Sequence, residues 1–176
     1  MLAEARPKGI ILREKDLPAS EYKALAKAVL EICSRYDVIC ILHSFADIAI
    51  QLGAAALHLP LPVLRELPPN KRSSFTTLGA SCHSIEEAKE AEALGCTYIT
   101  AGHVFDTDCK KGLAGRGLEF LKQVCESVTV PVYGIGGISG ENAAQVIKAG
   151  AKGVCVMSGA MLCGDPQEYL AKLREI

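Results

Sequence analysis

The sequence predicts an α/β protein, a TIM (β/α)8 barrel of which this chain shows seven βα units, and three observations carry that expectation. Short β-branched or apolar runs alternate with amphipathic patterns from residue 8 onward, as successive βα units require. Runs such as Val38-Ile39-Cys40-Ile41-Leu42 and Val154-Cys155-Val156-Met157 are apolar on both faces, which suits parallel strands covered on both sides. Glycine clusters after the last two strands, at Gly134-Ile135-Gly136-Gly137 and Met157-Ser158-Gly159, where a barrel builds its phosphate-binding loops. An open doubly wound sheet would want a glycine-rich turn after the first strand, and Arg13-Glu14-Lys15 is not one.

The elements follow in order. A strand over 8–12 precedes a helix over 19–35, whose apolar positions Tyr22, Leu25, Ala26, Val29, Leu30 and Cys33 keep helical spacing. Residues 38–42 form the second strand, followed by a helix over 45–52, and 55–59 the third. Pro60, Pro62, Pro68 and Pro69 then leave room for at most one helical turn. After a strand over 78–82, Ser84 with Glu87 three residues on reads as an N-cap opening a helix over 85–94, which Gly95 closes. A strand over 98–101, a loop over 102–115 and a helix over 116–127 come next. Strands over 131–135 and 153–157 alternate with helices over 139–149 and 166–175. That is seven βα units without a linker, one domain over 1–176.

Composition narrows the function. The 176 residues are 49% apolar and 22% charged, ordinary for a compact domain that buries roughly 70% of its unfolded surface and needs no metal or disulfide staple. With 19 basic and 20 acidic residues the net charge is −1. No basic run or interleaved aromatics suit a phosphate backbone, so nucleic acid is not the expected partner. No run reaches the roughly 18 apolar residues of a membrane span, and residues 1–8 hold no apolar stretch suited to a signal peptide. Eight cysteines without a C-x-x-C pair read as reduced, mostly buried thiols of a cytoplasmic protein.

His43, His58, His83 and His103 each fall at or within a couple of residues of a strand's C-terminal end, the rim where barrel active sites are built. A lone rim histidine is usually an ordinary hydrogen-bonded residue; four together point to proton transfer near neutral pH. Zinc is the competing reading, but no H-x-H or H-x-x-x-H pair is present. Gly136-Gly137 and Ser158-Gly159 have plain readings as a turn and a helix cap, and together read as a backbone cradle for a phosphate. Arg13 and Lys15 end the first strand and could meet a second anion. The loop from Asp106 to Arg116 is polar and glycine-flanked, as substrate-contacting loops are.

Through Leu12-Arg13-Glu14-Lys15, Ser81-Cys82-His83-Ser84-Ile85-Glu86-Glu87-Ala88, Pro131-Val132-Tyr133-Gly134-Ile135-Gly136-Gly137-Ile138 and Ala149-Gly150-Ala151-Lys152-Gly153-Val154, the sequence resembles the thiamine phosphate synthase/TenI family of (β/α)8 barrels. Gly102-His103-Val104-Phe105-Asp106-Thr107-Asp108-Cys109-Lys110-Lys111-Gly112-Leu113 and Met157-Ser158-Gly159 are most similar to its TenI branch. The resemblance implies one of two reactions. Synthases of the family join a pyrimidine pyrophosphate to a thiazole phosphate, with Mg²⁺ held by rim carboxylates. TenI-type members are thiazole tautomerases: they aromatise a carboxythiazole phosphate by removing a proton from a ring carbon and delivering another to an exocyclic carbon, without metal or redox cofactor.

Where the synthases carry Asn-Asp this chain has His43-Ser44, and where they carry Gly-Gln-x-Asp it has Pro60-Leu61-Pro62-Val63. The Gln before their Leu-Arg-Glu-Lys is Ile11. The expectation is therefore a cofactor-free isomerase, a thiazole tautomerase, with thiamine phosphate synthase or a non-catalytic thiazole phosphate-binding regulatory barrel as alternatives. The resemblance makes His103 the acid/base. Arg13 or Lys15 would hold the carboxylate, and Gly136, Gly137, Ser158 and Gly159 the phosphate. His43, Ser81, Thr107, Cys109, Lys110 and Met157 complete the substrate contacts. The same match puts Arg13 at the end of a second strand and Met1–Arg6 in the tail of a first helix, so it implies a TIM (β/α)8 barrel lacking the first βα unit in this chain. An open barrel, further N-terminal residues or an edge covered by a neighbouring chain is expected, and the proline-rich segment 60–69 is a candidate surface for a homo-oligomer.

Overall fold

The computed structural model describes residues 1–110 and 112–174, the side chain of Cys109 apart. Its strands are β1 (Gly9–Leu12), β2 (Ile39–His43), β3 (Ala56–Pro60), β4 (Thr77–Cys82), β5 (Tyr98–Gly102), β6 (Val132–Ile135) and β7 (Gly153–Cys155). The helices are α1 (Ala19–Arg35), α2 (Ala46–Gln51), α3 (Leu61–Glu66), α4 (Pro69–Arg72), α5 (Ile85–Ala93), α6 (Gly117–Ser127), α7 (Ala143–Lys148), α8 (Ser158–Leu162) and α9 (Pro166–Lys172), and a single 3-10 turn spans Asp108–Lys110. All strand pairs are parallel and follow chain order from β1 to β7. Among the described residues β1 and β7 do not pair, so the sheet curls into an open half-barrel, as expected of a barrel short of one unit.

Period-2 alternation gives the sheet two faces. One set of strand side chains, including Leu42, Leu57, Leu59, Leu78, Ala80, Cys82, Ile99 and Ala101, joins Tyr22 and Ala26 of α1, Leu64 of α3, Ala88 and Ala91 of α5, Leu121 and Val124 of α6 and Val146 of α7 in one core. Each fully buried leucine or isoleucine contributes about 1.5–3 kcal/mol by leaving water. Leu57→Ala would open a cavity between β3 and its helices, at about 2–5 kcal/mol. Small residues on α5 let that helix lie close to the strands. The opposite, concave set is polar: His43, His58, Ser81, Tyr98 and Thr100 alternate with the core residues along β2 to β5.

Three expectations need correction. The proline-rich stretch holds two helices, not at most one turn. Pro62 lies in the first turn of α3 and Pro69 in that of α4, where the missing N–H has no helical partner to lose. Ser158 does not cap a helix; it opens the short α8, whose cap position is Met157 without a side-chain hydrogen bond. The predicted N-cap at Ser84 stands, its Oγ accepting the Glu87 amide at 3.1 Å. The helix expected over 139–149 is trimmed to α7, because Ser139 and Asn142 form a hydrogen-bonded turn before it: Asn142 Oδ1 accepts the Ser139 amide at 2.9 Å.

Candidate active site

The concave face carries a buried hydrogen-bonded network. His58, on β3, is 3% exposed. Its Nδ1 lies 2.8 Å from the Tyr98 hydroxyl on β5, and its Nε2 lies 2.8 Å from Ser81 Oγ on β4. Thr100 donates to Ser81 Oγ at 3.4 Å. The Tyr98 ring fits only because Gly79, on the strand between, has no side chain: a Cβ there would overlap the phenol. Tyr98 meets Tyr133 of β6 edge-on at 5.9 Å, and Lys8 Nζ lies 5.8 Å from the Tyr133 centroid. Burial pushes the Tyr98 hydroxyl pKa well above its usual value.

His43 closes β2 beside this network. Its ring stacks on His58 at 5.9 Å, and its Nδ1 lies 2.9 Å from Ser44 Oγ. Tyr22 sets its height: the phenol donates to the Leu12 carbonyl at 3.2 Å and accepts the His43 amide at 3.1 Å, bridging β1 and β2. Burial, then the charges of Arg13 and Lys15, hold the His43 pKa down at about 4. Burial and His43 hold His58 at about 3. Both imidazoles are therefore neutral at physiological pH. Arg13 and Lys15 are exposed at the end of β1, close enough to act on His43 through their charge.

His103 follows β5 and is buried. Its Nε2–H donates to the Leu113 carbonyl at 3.2 Å, which leaves Nδ1 as the acceptor of the neutral ring. The loop after it folds back on the strand end: Arg116 N donates to the His103 carbonyl at 2.9 Å and Gly115 N to Asp106 Oδ1 at 2.7 Å. Gly136 and Gly137 turn just after β6, at φ 99° and 65°, a region glycine enters freely. A Cβ on Gly136 would run into His103, so the turn lies directly against that residue. Among the described residues nothing accepts from the Gly136 or Gly137 amides. After neighbouring β7, Ser158 and Gly159 begin α8, behind the exposed Met157. Thr107 is half-buried and Lys110 exposed in the same loop; the Cys109 side chain and Lys111 lie outside the described residues.

The candidate residues thus form two groups on one end of the sheet. His43, Ser81, Arg13 and Lys15 gather around β1 to β4, while His103, Thr107, the glycine turn and the start of α8 gather around β5 to β7. In the sequence His58 counts among the rim histidines without a role assigned to it, and Tyr98, Thr100 and Tyr133 are not reached as site residues. The signal for them is polar residues at every second position of otherwise apolar strands, at Ser81 on β4 and at Tyr98 and Thr100 on β5. His83 donates from Nδ1 to the Gly102 carbonyl at 2.8 Å, which orients it over the β4–β5 end.

A Mg²⁺ ion held by hard oxygen ligands does not fit the β2–β3 rim. The positions where the synthases carry aspartates hold Ser44 and the exposed Val63, and the adjacent His43 has the charges of Arg13 and Lys15 near it. Among the described residues no three histidine, cysteine, aspartate or glutamate side chains converge as metal ligands.

A half-barrel of parallel strands with titratable and hydroxyl groups lining its concave face defines an enzyme of the (β/α)-barrel class. A family profile described as thiamine monophosphate synthase matches residues 1–160. The chain belongs to that family. It is 36% identical over 172 residues to thiamine-phosphate synthase of Pyrococcus furiosus, covering 95% of this chain and 81% of the relative. With the Moorella thermoacetica thiamine-phosphate synthase identity is 40% over 175 residues, covering 95% and 80%. The solved thiamine phosphate pyrophosphorylase from Pyrococcus furiosus superimposes with a TM-score of 0.84 at 34% identity, over 99% of this chain and 84% of that one. A 3-hexulose-6-phosphate synthase (TM-score 0.72, 24% identity, 99% and 88% covered) shares the fold. The Pyrococcus and Moorella sequences are named thiamine-phosphate synthases, so the family match favours the transferase alternative over the isomerase expectation.

Proposed function

We propose that this chain is an enzyme of thiamine biosynthesis whose substrate is a thiazole phosphate. Identity of 36% and 40% with thiamine-phosphate synthases across 95% of the chain carries this reading. Their names support a transferase that joins a pyrimidine pyrophosphate to the thiazole phosphate. In that reaction the pyrophosphate leaves with its charge, and Arg13 and Lys15 are the cations this rim offers it. The phosphate of the thiazole would sit on the Gly136 and Gly137 amides with Ser158 and Gly159 beside it, Thr107 and Lys110 closing over it. Arg13 and Lys15 stand in for a metal only in part, since two exposed side chains screen a dianion less well than an inner-sphere ion.

One observation favours a second reading, the thiazole tautomerase. The rim that would hold the synthase's metal is built of neutral imidazoles, while His103 lies against the phosphate turn with Nε2–H tied to Leu113. Nδ1 would take the proton from the ring carbon and exchange it with solvent, and a solvent-derived proton would then be delivered to the exocyclic carbon. Aromaticity gained by the product supplies the driving force, so no other group need react.

Two incubations separate the readings. With the pyrimidine pyrophosphate, the thiazole phosphate and Mg²⁺, the transferase yields thiamine phosphate. With the carboxythiazole phosphate tautomer in D₂O, the tautomerase yields aromatic product carrying deuterium at the exocyclic carbon. Thiamine phosphate without tautomerisation settles on the first reading; the converse settles on the second. Neither product, with or without binding, removes both.

A further inference from the structure

We propose that Tyr98 is a positioning residue that makes the Ser81 hydroxyl an obligate hydrogen-bond donor, so that this part of the site selects a substrate group with a lone pair. The inference rests on the reading that the concave face receives the substrate.

Tyr98 is 8% exposed, and a buried phenolic proton needs an acceptor. Among the described residues the acceptor in reach is His58 Nδ1, 2.8 Å away. The opposite arrangement, with Nδ1–H donating to the phenol, would strand that proton. Tyr98 therefore donates to Nδ1, and the neutral His58 carries its own proton on Nε2.

Nε2–H then donates to Ser81 Oγ at 2.8 Å, and the Thr100 hydroxyl, 3.4 Å from the same oxygen, donates to it as well. A serine hydroxyl has two lone pairs and one proton. With both lone pairs engaged, Ser81 has only its proton left for a ligand. Ser81 is half-exposed while His58 and Thr100 behind it are buried, so the free proton is on the open side. A ligand atom meeting it must accept: an unprotonated ring nitrogen, a carbonyl or an anionic oxygen. An N–H or O–H placed there would be left unpaired, the kind of mismatch that discriminates strongly between otherwise similar ligands.

The placement is built into the sheet. Gly79 leaves the slot that the Tyr98 ring fills, and the hydrogen bonds run over β5, β3 and β4, three strands of one rigid ladder. Burial beside His43 keeps His58 uncharged, without which Nδ1 could not accept.

The test uses the full chain labelled with ¹⁵N-histidine, without ligand. Two-bond ¹H–¹⁵N correlations, with His58→Gln identifying the His58 signals, report the tautomer directly. The expected result is the Nε2–H form in the wild type, a mixture of tautomers in Tyr98→Phe and an unchanged Nε2–H form in Ser81→Ala. Titration with thiazole phosphate should then weaken by roughly tenfold in Ser81→Ala and by a smaller factor in Tyr98→Phe. An Nδ1–H form of His58 in the wild type overturns the proposal. So does a Tyr98→Phe variant that stays wholly Nε2–H, which would make Tyr98 a packing residue only. An Nε2–H wild type that binds no thiazole phosphate would support the tautomer assignment while removing the substrate reading on which the selection of a lone pair rests.

Discussion

His58 Nδ1 and the Tyr98 hydroxyl meet at 2.8 Å across strands that are not neighbours, β3 and β5, with Gly79 of β4 making room between them. A buried polar pair in the middle of a sheet is stable only when each partner satisfies the other, and here glycine, histidine and tyrosine on three strands form one unit. Polar satisfaction, ring packing and the concave shape of the face depend on all three.

Adding a methyl group at Gly79 should therefore cost about 1–3 kcal/mol through overpacking against the Tyr98 ring. Truncating the ring should remove the conflict. In a double-mutant cycle by urea denaturation, Gly79→Ala with Tyr98→Ala is expected to destabilise less than the sum of the single changes. Additive losses would mean that the two positions do not share the slot.

Acid should weaken the fold through the two imidazoles. In the unfolded chain a histidine titrates near 6.5, whereas His43 and His58 in the fold titrate at about 4 and about 3. As pH falls below 6.5 the unfolded chain takes up protons that the fold refuses, so stability declines until each folded pKa is passed. The slope is at most about 1.4 kcal/mol per pH unit for each histidine. Above pH 7 neither contributes. Urea denaturation between pH 7.5 and 4.5 should show the decline, and His58→Gln should flatten it; an equal slope in that variant would contradict the assignment.

His103→Ala is expected to lower tautomerisation turnover by roughly 10² or more while leaving the fold intact. If transfer is the reaction instead, the same variant should affect mainly the binding of the thiazole phosphate, because His103 backs the Gly136 turn. Steady-state kcat and KM measured on both reactions distinguish these outcomes.

Helix caps offer a check outside the site. Ser84 Oγ accepts the Glu87 amide at 3.1 Å, and Asp165 Oδ1 accepts the amides of Gln167 and Glu168 at 2.8 and 3.2 Å. Replacing either by alanine should cost about 1 kcal/mol, measured as a shift in thermal midpoint without change in ligand binding.

The order of strands and long helices was legible because apolar periodicity survives in a single sequence: α1 occupies the residues its spacing predicts. The helices at Leu61–Glu66 and Pro69–Arg72 were not, because proline reads as a breaker and only its place in a first turn makes it harmless. The five-residue α8 is too short to show a period. Among candidate functional groups, His103 was reached through the resemblance of the contiguous segment from Gly102 to Leu113 to a family motif. The His58–Tyr98 pair spans 40 positions, and which lone pair meets which proton is decided by register between strands, which a linear reading does not contain.

The contact between Gly136 and His103 couples two jobs mechanically. Because no side chain separates the turn from the histidine, they form a single wall, and the backbone that would grip an anion is the same surface that supports the imidazole. Ligand seated on the turn would be felt at the ring without any relay through a moving segment. A larger residue at position 136 would displace both functions at once, so that neither can be tuned by substitution there without the other.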